Sequence, residues 1–323
     1  MKRFQTVGAA VFAGWCGVAM ACLHPPADYD GSHEQESQEA IVFWNEGREE
    51  LILKVAYAIT PGASGAMPAS LGWVIPVPTV PDAYTEEDAG LFRAMFRAWD
   101  LVTREVVRGR RALGDDEQNF GIELLESVTA GAYTIQPIRS RGDVGFVGLN
   151  RWLAENGFGE IPRENAMYYI SREWIWLAVK VNPPEGEEAL AAEGELRPLR
   201  ISFASSRIVY PLKFSAHQGT FDVNLYVVTS AEPQFRGENA LDTYRFTAHT
   251  VRDFALPGPV SDLYEKVVGE GRFDAFPRRR PQGVQEEQPQ GREARVVPFV
   301  TKISGTDVNG PSNPIASWPR AFT

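Results

Sequence analysis

Cysteine is scarce: the 323-residue chain has two, Cys16 and Cys22. A framework of internal disulfides is therefore excluded, and stability must come from a core, which a chain of this length can build. Histidine is nearly as rare, with His24, His33, His217 and His249 alone. They form no HxH or HExxH spacing and there is no cysteine pair, so no compact metal-ligand set is present. The weakest grouping worth naming is His24 and His33 with Asp28 and Asp30, which could hold a loosely bound divalent ion only by ordering the segment around it. Nucleophile motifs are missing too. Gly62-Ala63-Ser64-Gly65-Ala66 has the wrong spacing for a nucleophile elbow, there is no SxxK, and no phosphate-cradling glycine pattern follows a strand. The acid pairs Asp115/Asp116 and Glu187/Glu188 fall in polar loops and read as solvated charge. No cofactor is expected. A basic stripe is lacking as well: net charge is −10, and the one dense basic spot, Arg278–Arg280, sits in a Pro/Gln-rich stretch. Nucleic acid is excluded as a partner on that balance.

What is present begins at the N-terminus. Lys2 and Arg3 precede an apolar run over Val7–Met20, which ends in Ala19-Met20-Ala21 before Cys22. A charged region, a short apolar region and small residues at the cleavage positions predict a secretory signal peptide over residues 1–21. The run is too short and too rich in Gly and Ala for a good bilayer-spanning helix. The expected location is exported, in the periplasm or outer cell envelope. Cys22 falls where a bacterial lipoprotein carries its lipid, and two readings stand. Either Cys22 is lipidated and attaches the chain to a membrane, or plain cleavage releases a soluble protein. Lys2 and Arg3 are two of the 32 basic residues, so the mature chain carries 30 against 42 acidic, a net charge of −12.

Residues 22–39 mix Pro, Gly, Ser and acids without apolar periodicity, a composition that predicts a disordered tether. A core domain is expected over 40–230. Ile41–Trp44 and Glu50–Ala58 predict a hairpin around Asn45-Glu46-Gly47-Arg48. Leu71–Ile75 predicts a strand stopped by Pro76, Pro78 and Pro81. Thr85-Glu86-Glu87-Asp88 has the form of a capping box, followed by Leu91, Phe92, Met95, Phe96, Trp99, Val102 and Val106 at helical spacing. Strands are expected at Ile122–Val128, Ala132–Ile138 and Trp174–Val181, and helices at Phe146–Asn156 and Glu164–Ser171. Leu196–Thr229 alternates in three runs and predicts an antiparallel meander, the stretch around which the chain is read. A C-terminal extension over 231–276 contains an edge strand at Tyr244–His249. A disordered loop over 277–294 and a closing strand and coil tail over 295–323 complete the chain. The fold class is α+β: antiparallel sheet or sheets with a few helices packed on one face.

One suggestive surface is aromatic. In Glu173–Lys180, Trp174 and Trp176 share a face and Ile175, Leu177 and Val179 the other, as in a central strand covered on both sides. With Tyr168 and Tyr169 the tryptophans could form a platform that stacks sugars. The alternative is that all four pack in the core.

Several stretches in order carry a resemblance. These are Gly72-Trp73-Val74-Ile75-Pro76-Val77-Pro78, Ala130–Ile135, Leu149-Asn150-Arg151-Trp152-Leu153-Ala154-Glu155-Asn156-Gly157-Phe158, Trp176–Val181, Leu196–Phe203 and Tyr210-Pro211-Leu212. Together they resemble an exported bacterial family, domain of unknown function 2330, over about Cys22 to Thr229. Phe299-Val300-Thr301-Lys302 resembles a strand in the tail of some relatives. Relatives often carry a Cys-Gly-Phe-like stretch with further cysteines, whereas here Cys22 is followed by Leu23-His24-Pro25. The family implies no catalytic residue. The expected function is a non-catalytic binding or structural domain of the cell envelope, engaging an unidentified envelope ligand or protein. The alternative is an envelope hydrolase with a site assembled from dispersed residues.

Overall fold

The first hairpin is set by two residues. Glu46 and Gly47 have φ of 45° and 85°, so the turn is the left-handed two-residue kind whose twist matches its flanking strands. Gly47 adopts that φ without a Cβ penalty. The computed structural model describes residues 23–26, 28–102, 121–184, 187, 189–217, 221–230, 233, 246–268 and 298–308. In chain order the elements are β1 (Leu23–His24), β2 (Ser32–Asn45), β3 (Arg48–Thr60), β4 (Leu71–Val77), β5 (Ala83–Glu86) and α1 (Gly90–Val102). Next come β6 (Gly121–Leu124), β7 (Val128–Ala130), β8 (Tyr133–Arg141), α2 (Gly142–Glu155), α3 (Arg163–Ile170) and β9 (Ile175–Val181). After β10 (Glu193–Glu195) and β11 (Leu199–Ala204) there is a 3-10 turn at Leu212–His217. The described chain closes with β12 (Phe221–Thr229), β13 (Phe246–Val251), α4 (Gly258–Val268) and β14 (Phe299–Val308).

The strands form two sheets. The first runs β1–β4–β9–β8–β6, with β7 also on β8, and the second runs β13–β14–β12–β2–β3–β11–β5, with β10 on β3. Among the described pairs, β2 with β12 is parallel and the rest are antiparallel. Alternation along β3 shows how the layers arise. Leu51, Leu53, Val55, Tyr57 and Ile59 enter the core between the sheets. Ile52, on the other face, joins Ile41, Phe43, Tyr226 and Val228 beneath Leu91, Phe92, Met95 and Trp99 of α1 and Val260, Leu263 and Tyr264 of α4. In the first sheet, Tyr133 reaches across to donate its hydroxyl to the Arg197 carbonyl. On the opposite face Trp176 meets Tyr169 of α3 at 5.8 Å between ring centroids. Each sheet thus carries its helices on one face, and the two remaining faces meet. This is an α+β fold in four layers.

Three expectations are corrected. Residues 23–39 are not a disordered tether: β1 pairs with β4, and β2 begins at Ser32 and pairs with β3. The ladder and specific side-chain bonds, rather than an apolar pattern, order this segment. Leu196–Thr229 is not a meander. β11 pairs with β3 and β5, while β12 pairs with β2 and β14. Between them Pro211 has no N–H for a ladder, and the chain turns at Leu212–His217 instead. Thr85 does not cap α1. Thr85 accepts a bond from Arg200, Glu87 pairs with Arg200, and Glu86 accepts the Ala132 N–H, so the would-be capping groups are taken by tertiary contacts. Asp88 does the work, its carboxylate accepting the Gly90 N–H at 2.6 Å. In the α1 stripe Leu91, Phe92, Met95 and Trp99 are buried, but Phe96 is 49% exposed.

The hairpin, α2, α3 and β9 fall where the periodicity places them. The stretch expected as one strand from Ile122 is divided into β6 and β7. The expected edge strand at 244–249 is β13, and the closing strand is β14, which lies between β13 and β12 inside the second sheet. The signal peptide, Cys22, Val106 and the 277–294 loop lie outside the described residues.

Candidate functional site

The four aromatic residues singled out from sequence are brought together, but not as a surface. Trp176 and Tyr169 are fully buried and Trp174 is 7% exposed. Tyr169 lies 5.0 Å from Trp174 and 6.1 Å from Phe214, which sits 5.3 Å from Trp176. β9 has strands on both edges and layers on both faces, so its rings have nowhere to go but the core. The platform reading is corrected accordingly. Tyr168 alone stays partly exposed, with the Arg172 guanidinium 3.8 Å and the Lys213 ammonium 5.1 Å from its ring centre.

Behind this cluster the 3-10 turn joins the two sheets. The Phe214 N–H donates to the Tyr169 hydroxyl at 3.0 Å, and the Asn165 amide donates to the Lys213 carbonyl at 3.2 Å. On its other side the turn meets Gln38 of β2, which projects into the apolar space between the sheets. A buried amide needs partners. Gln38 donates to Ser215 Oγ at 2.8 Å and accepts the Tyr210 hydroxyl at 2.9 Å. Together with Trp73, Leu53, Val55 and Phe214 these groups line a groove holding a cavity of about 30 Å³. That is room for a water or one small polar group. An apolar pocket with a few convergent polar groups is the usual form of a ligand site.

A second polar centre lies on the outer face of the second sheet. Arg200, 8% exposed, donates to Glu50 at 2.9 Å, Glu87 at 2.7 Å, Thr85 at 2.9 Å and Ser202 at 3.0 Å. Ser202 donates to Glu50, which also accepts from Arg48 at 2.9 Å. Arg48 continues outward to Asp82, held bidentately at 2.6 and 2.9 Å. Ser202 and Glu50 could suggest an activated nucleophile, but Ser202 has no exposed surface. The arrangement fastens β3, β5 and β11 together.

The histidines of the first segment are also placed. His33 is buried, and its Nε2 bonds the Leu23 carbonyl at 2.6 Å. His24, also buried, fits between Gly72 and Phe158, with the ring centroids of His24 and Phe158 6.1 Å apart. Burial lowers the His24 pKa to about 4, with the nearby His33 adding to the effect, and burial lowers His33 as well. Asp30 does not join them: both its oxygens bond Ser64, at 2.9 Å each. Among the described residues no three His, Cys, Asp or Glu side chains are grouped to hold a metal ion, which disposes of the loose ion site. His249 is a β13 residue against Trp99, ring centroids 5.7 Å apart; the His217 side chain lies outside those described.

Sequence reasoning missed Gln38, Tyr210 and Ser215, and it missed Arg200 with Glu50. A signal existed for Arg200 and Ser202, which occupy the positions opposite the apolar Leu199, Ile201 and Phe203 and yet belong to a strand with neighbours on both sides. Gln38 offered none, because its partner is 177 residues away.

Fold and site define a four-layer α+β protein with a small polar groove between its sheets. The chain belongs to the family described as an uncharacterized protein conserved in bacteria (DUF2330), whose family model matches residues 16–256. No curated protein and no solved structure matches it. Among the described residues no helix is long and apolar enough to cross a membrane.

Proposed function

We propose that this is an exported protein of the bacterial cell envelope that works by binding rather than catalysis. The reading is carried by the charged start, the short apolar run and the Ala19-Met20-Ala21 that precede Cys22. β1 begins at Leu23, directly after the Ala19-Met20-Ala21 signal that precedes Cys22, so cleavage there removes the leader and leaves the first strand whole. The groove at Gln38 supports the binding role, because an amide and two hydroxyls, bonded to one another, converge there within apolar walls. A lipid on Cys22 would attach the domain to a membrane. The competing hydrolase reading gains nothing from Ser202, which bonds a carboxylate but is closed to substrate.

Mass spectrometry of the chain recovered from the envelope tests the export arm. The expected product starts at Cys22, with a diacylglyceryl adduct if the chain is lipidated, and an intact Met1 overturns it. For the binding arm, melting temperatures are compared with and without soluble cell-wall fragments and lipid headgroup analogues, in the wild type and in Gln38→Leu. A rise seen in the wild type and lost in the variant is expected. No rise with any compound, or an equal rise in both proteins, overturns the groove as the site.

A further inference from the structure

We propose that the N-terminal strand is an acid-released latch, closed by His24 and His33 and opened when either ring takes up a proton. The chain at Leu23–His24 is held to the edge of the first sheet by only two pairs, Leu23 with Trp73 and His24 with Gly72. A two-residue strand is a weak attachment, and both of its side chains are buried. The histidines supply the rest. The Leu23 carbonyl is an acceptor, so His33 Nε2 must carry the proton that bonds it. Its Nδ1 then holds a lone pair, buried and without a partner. A proton arriving there creates a buried N–H with no acceptor, on a ring that has become a cation. His24 is arranged the opposite way round. Its Nδ1 lies 3.2 Å from the Pro25 carbonyl and so carries the proton, while the Gly159 N–H sits over the ring, 3.2 Å from both nitrogens. Protonation puts a positive charge against the positive end of that N–H, inside a buried socket.

The socket is built for a neutral ring. A Cβ on Gly72 would fall 2.7 Å from Phe158 Cδ1 and 2.8 Å from His24 Cε1, so only glycine leaves space there for the imidazole. The elements packed on His24 are β4, the connection after α2 and β2. Of their titratable groups the one acting on it is His33, which opposes a charge. No described carboxylate forms an ion pair with either ring, and Asp30, between the two histidines in sequence, is bonded to Ser64.

The sign follows. A released His24 has a pKa near 6.5 and the latched one about 4, so the latched state binds fewer protons and loses ground as pH falls below about 6.5. The latch constant drops by about tenfold per pH unit, roughly 150-fold for His24 by pH 4, and His33 adds to it. Opening would free residues 23–29, up to Asp30 and its bonds to Ser64, a spacer of roughly 23 Å at ~3.3 Å per residue. On the attachment reading above, acid would lengthen the leash between anchor and domain. The latch itself does not depend on that reading.

Hydrogen exchange of the mature chain at pH 7.5, 6.0 and 4.5, corrected for intrinsic rates, tests it. Peptides covering Leu23–His24 and Gly72–Trp73 should lose protection between pH 6.0 and 4.5, while Ile175–Val181 keeps its own. In His24→Gln/His33→Gln that loss should vanish, since an amide at position 33 still donates to the Leu23 carbonyl without titrating. Unchanged wild-type protection at pH 4.5 overturns the latch, as does joint loss at Leu23–His24 and Ile175–Val181, or a loss that persists in the double variant. The readout needs neither export nor lipid, so a chain found intact with Met1 sinks the envelope reading and leaves the latch standing or falling alone.

Discussion

Glu49 and Glu50 are neighbours on β3 and live in opposite chemistries. Glu50 accepts hydrogen bonds from Arg48, Arg200 and Ser202 on the outer face of its sheet. Glu49 turns inward with no exposed surface, and one of its oxygens accepts the Val209 N–H at 2.9 Å while the other has no partner. Burial pushes the Glu49 carboxyl well above its ordinary pKa, against a smaller pull downward from the Val209 bond. One strand thus holds a paired carboxylate on one face and a buried carboxyl with a raised pKa on the other.

The raised Glu49 has a pH signature. Its folded value exceeds its unfolded one, so its contribution is fully present below about pH 4.5 and is lost as pH rises toward the folded value. Glu49→Gln removes the titration and keeps the shape. Urea melts at pH 5 and pH 7 should show the wild type falling behind the variant as pH rises, by up to about 1.4 kcal/mol per unit. Parallel profiles would mean that Glu49 does not titrate in this window.

Arg200 and Asp82 belong to one chain of ion pairs and should differ greatly in worth. Arg200→Ala strands Glu50 and Glu87 without their buried cation and should cost about 3–5 kcal/mol. Asp82→Ala removes an exposed partner of Arg48 and should cost about 1 kcal/mol or less. Equilibrium denaturation of the two variants decides it, and similar losses would show that the network is not organised around Arg200.

The N-terminal segment should be indispensable. Leu23→Ala empties a buried site and should lower stability by about 2–5 kcal/mol. Deleting residues 23–39 takes away β1 and half of β2 and should abolish a cooperative thermal transition. A melting temperature unchanged by that deletion would restore the disordered tether that composition suggested.

The turn that closes the groove rests on Tyr169. Tyr169→Phe keeps the ring and removes the acceptor of the Phe214 N–H, at a cost of about 1–3 kcal/mol. Exchange of the Phe214 amide should quicken in step. A stability loss with that amide still protected would point to ring packing instead.

Much of the fold was legible because much of it is local. The Glu46–Gly47 hairpin, the Leu149/Leu153 stripe of α2 and β9, buried except at Lys180, each declare themselves within a dozen residues. β2 did not. Its first half reads as solvated coil, and it is a strand because β3 lies beside it and Gln38 finds Ser215 on a turn from the other end of the domain. The same holds at Thr85, whose local form says helix cap and whose partner Arg200 says strand. At the site the apolar residues on both faces of β9 already pointed to core packing of its rings rather than a surface platform. What β9 does not name is its cover: Trp176 is buried under Tyr169 of α3 and Phe214 of the 3-10 turn.

The parallel pairing of β2 with β12 has a consequence for how the protein is made. Ribosomes deliver the N-terminus first, so β2 and β3 meet while β12 is still unsynthesised. The wait, over the chain from Asn45 to Phe221, is roughly 10–40 s at ~5–20 residues per second. Throughout it β2 presents a bare edge, and its Ile41, Val42 and Phe43 are apolar on both faces. Such an edge templates pairing with other chains. The nascent protein must therefore be kept from collapsing on its neighbours until its last strands arrive, and its yield should depend more on holdase chaperones than its finished stability would suggest.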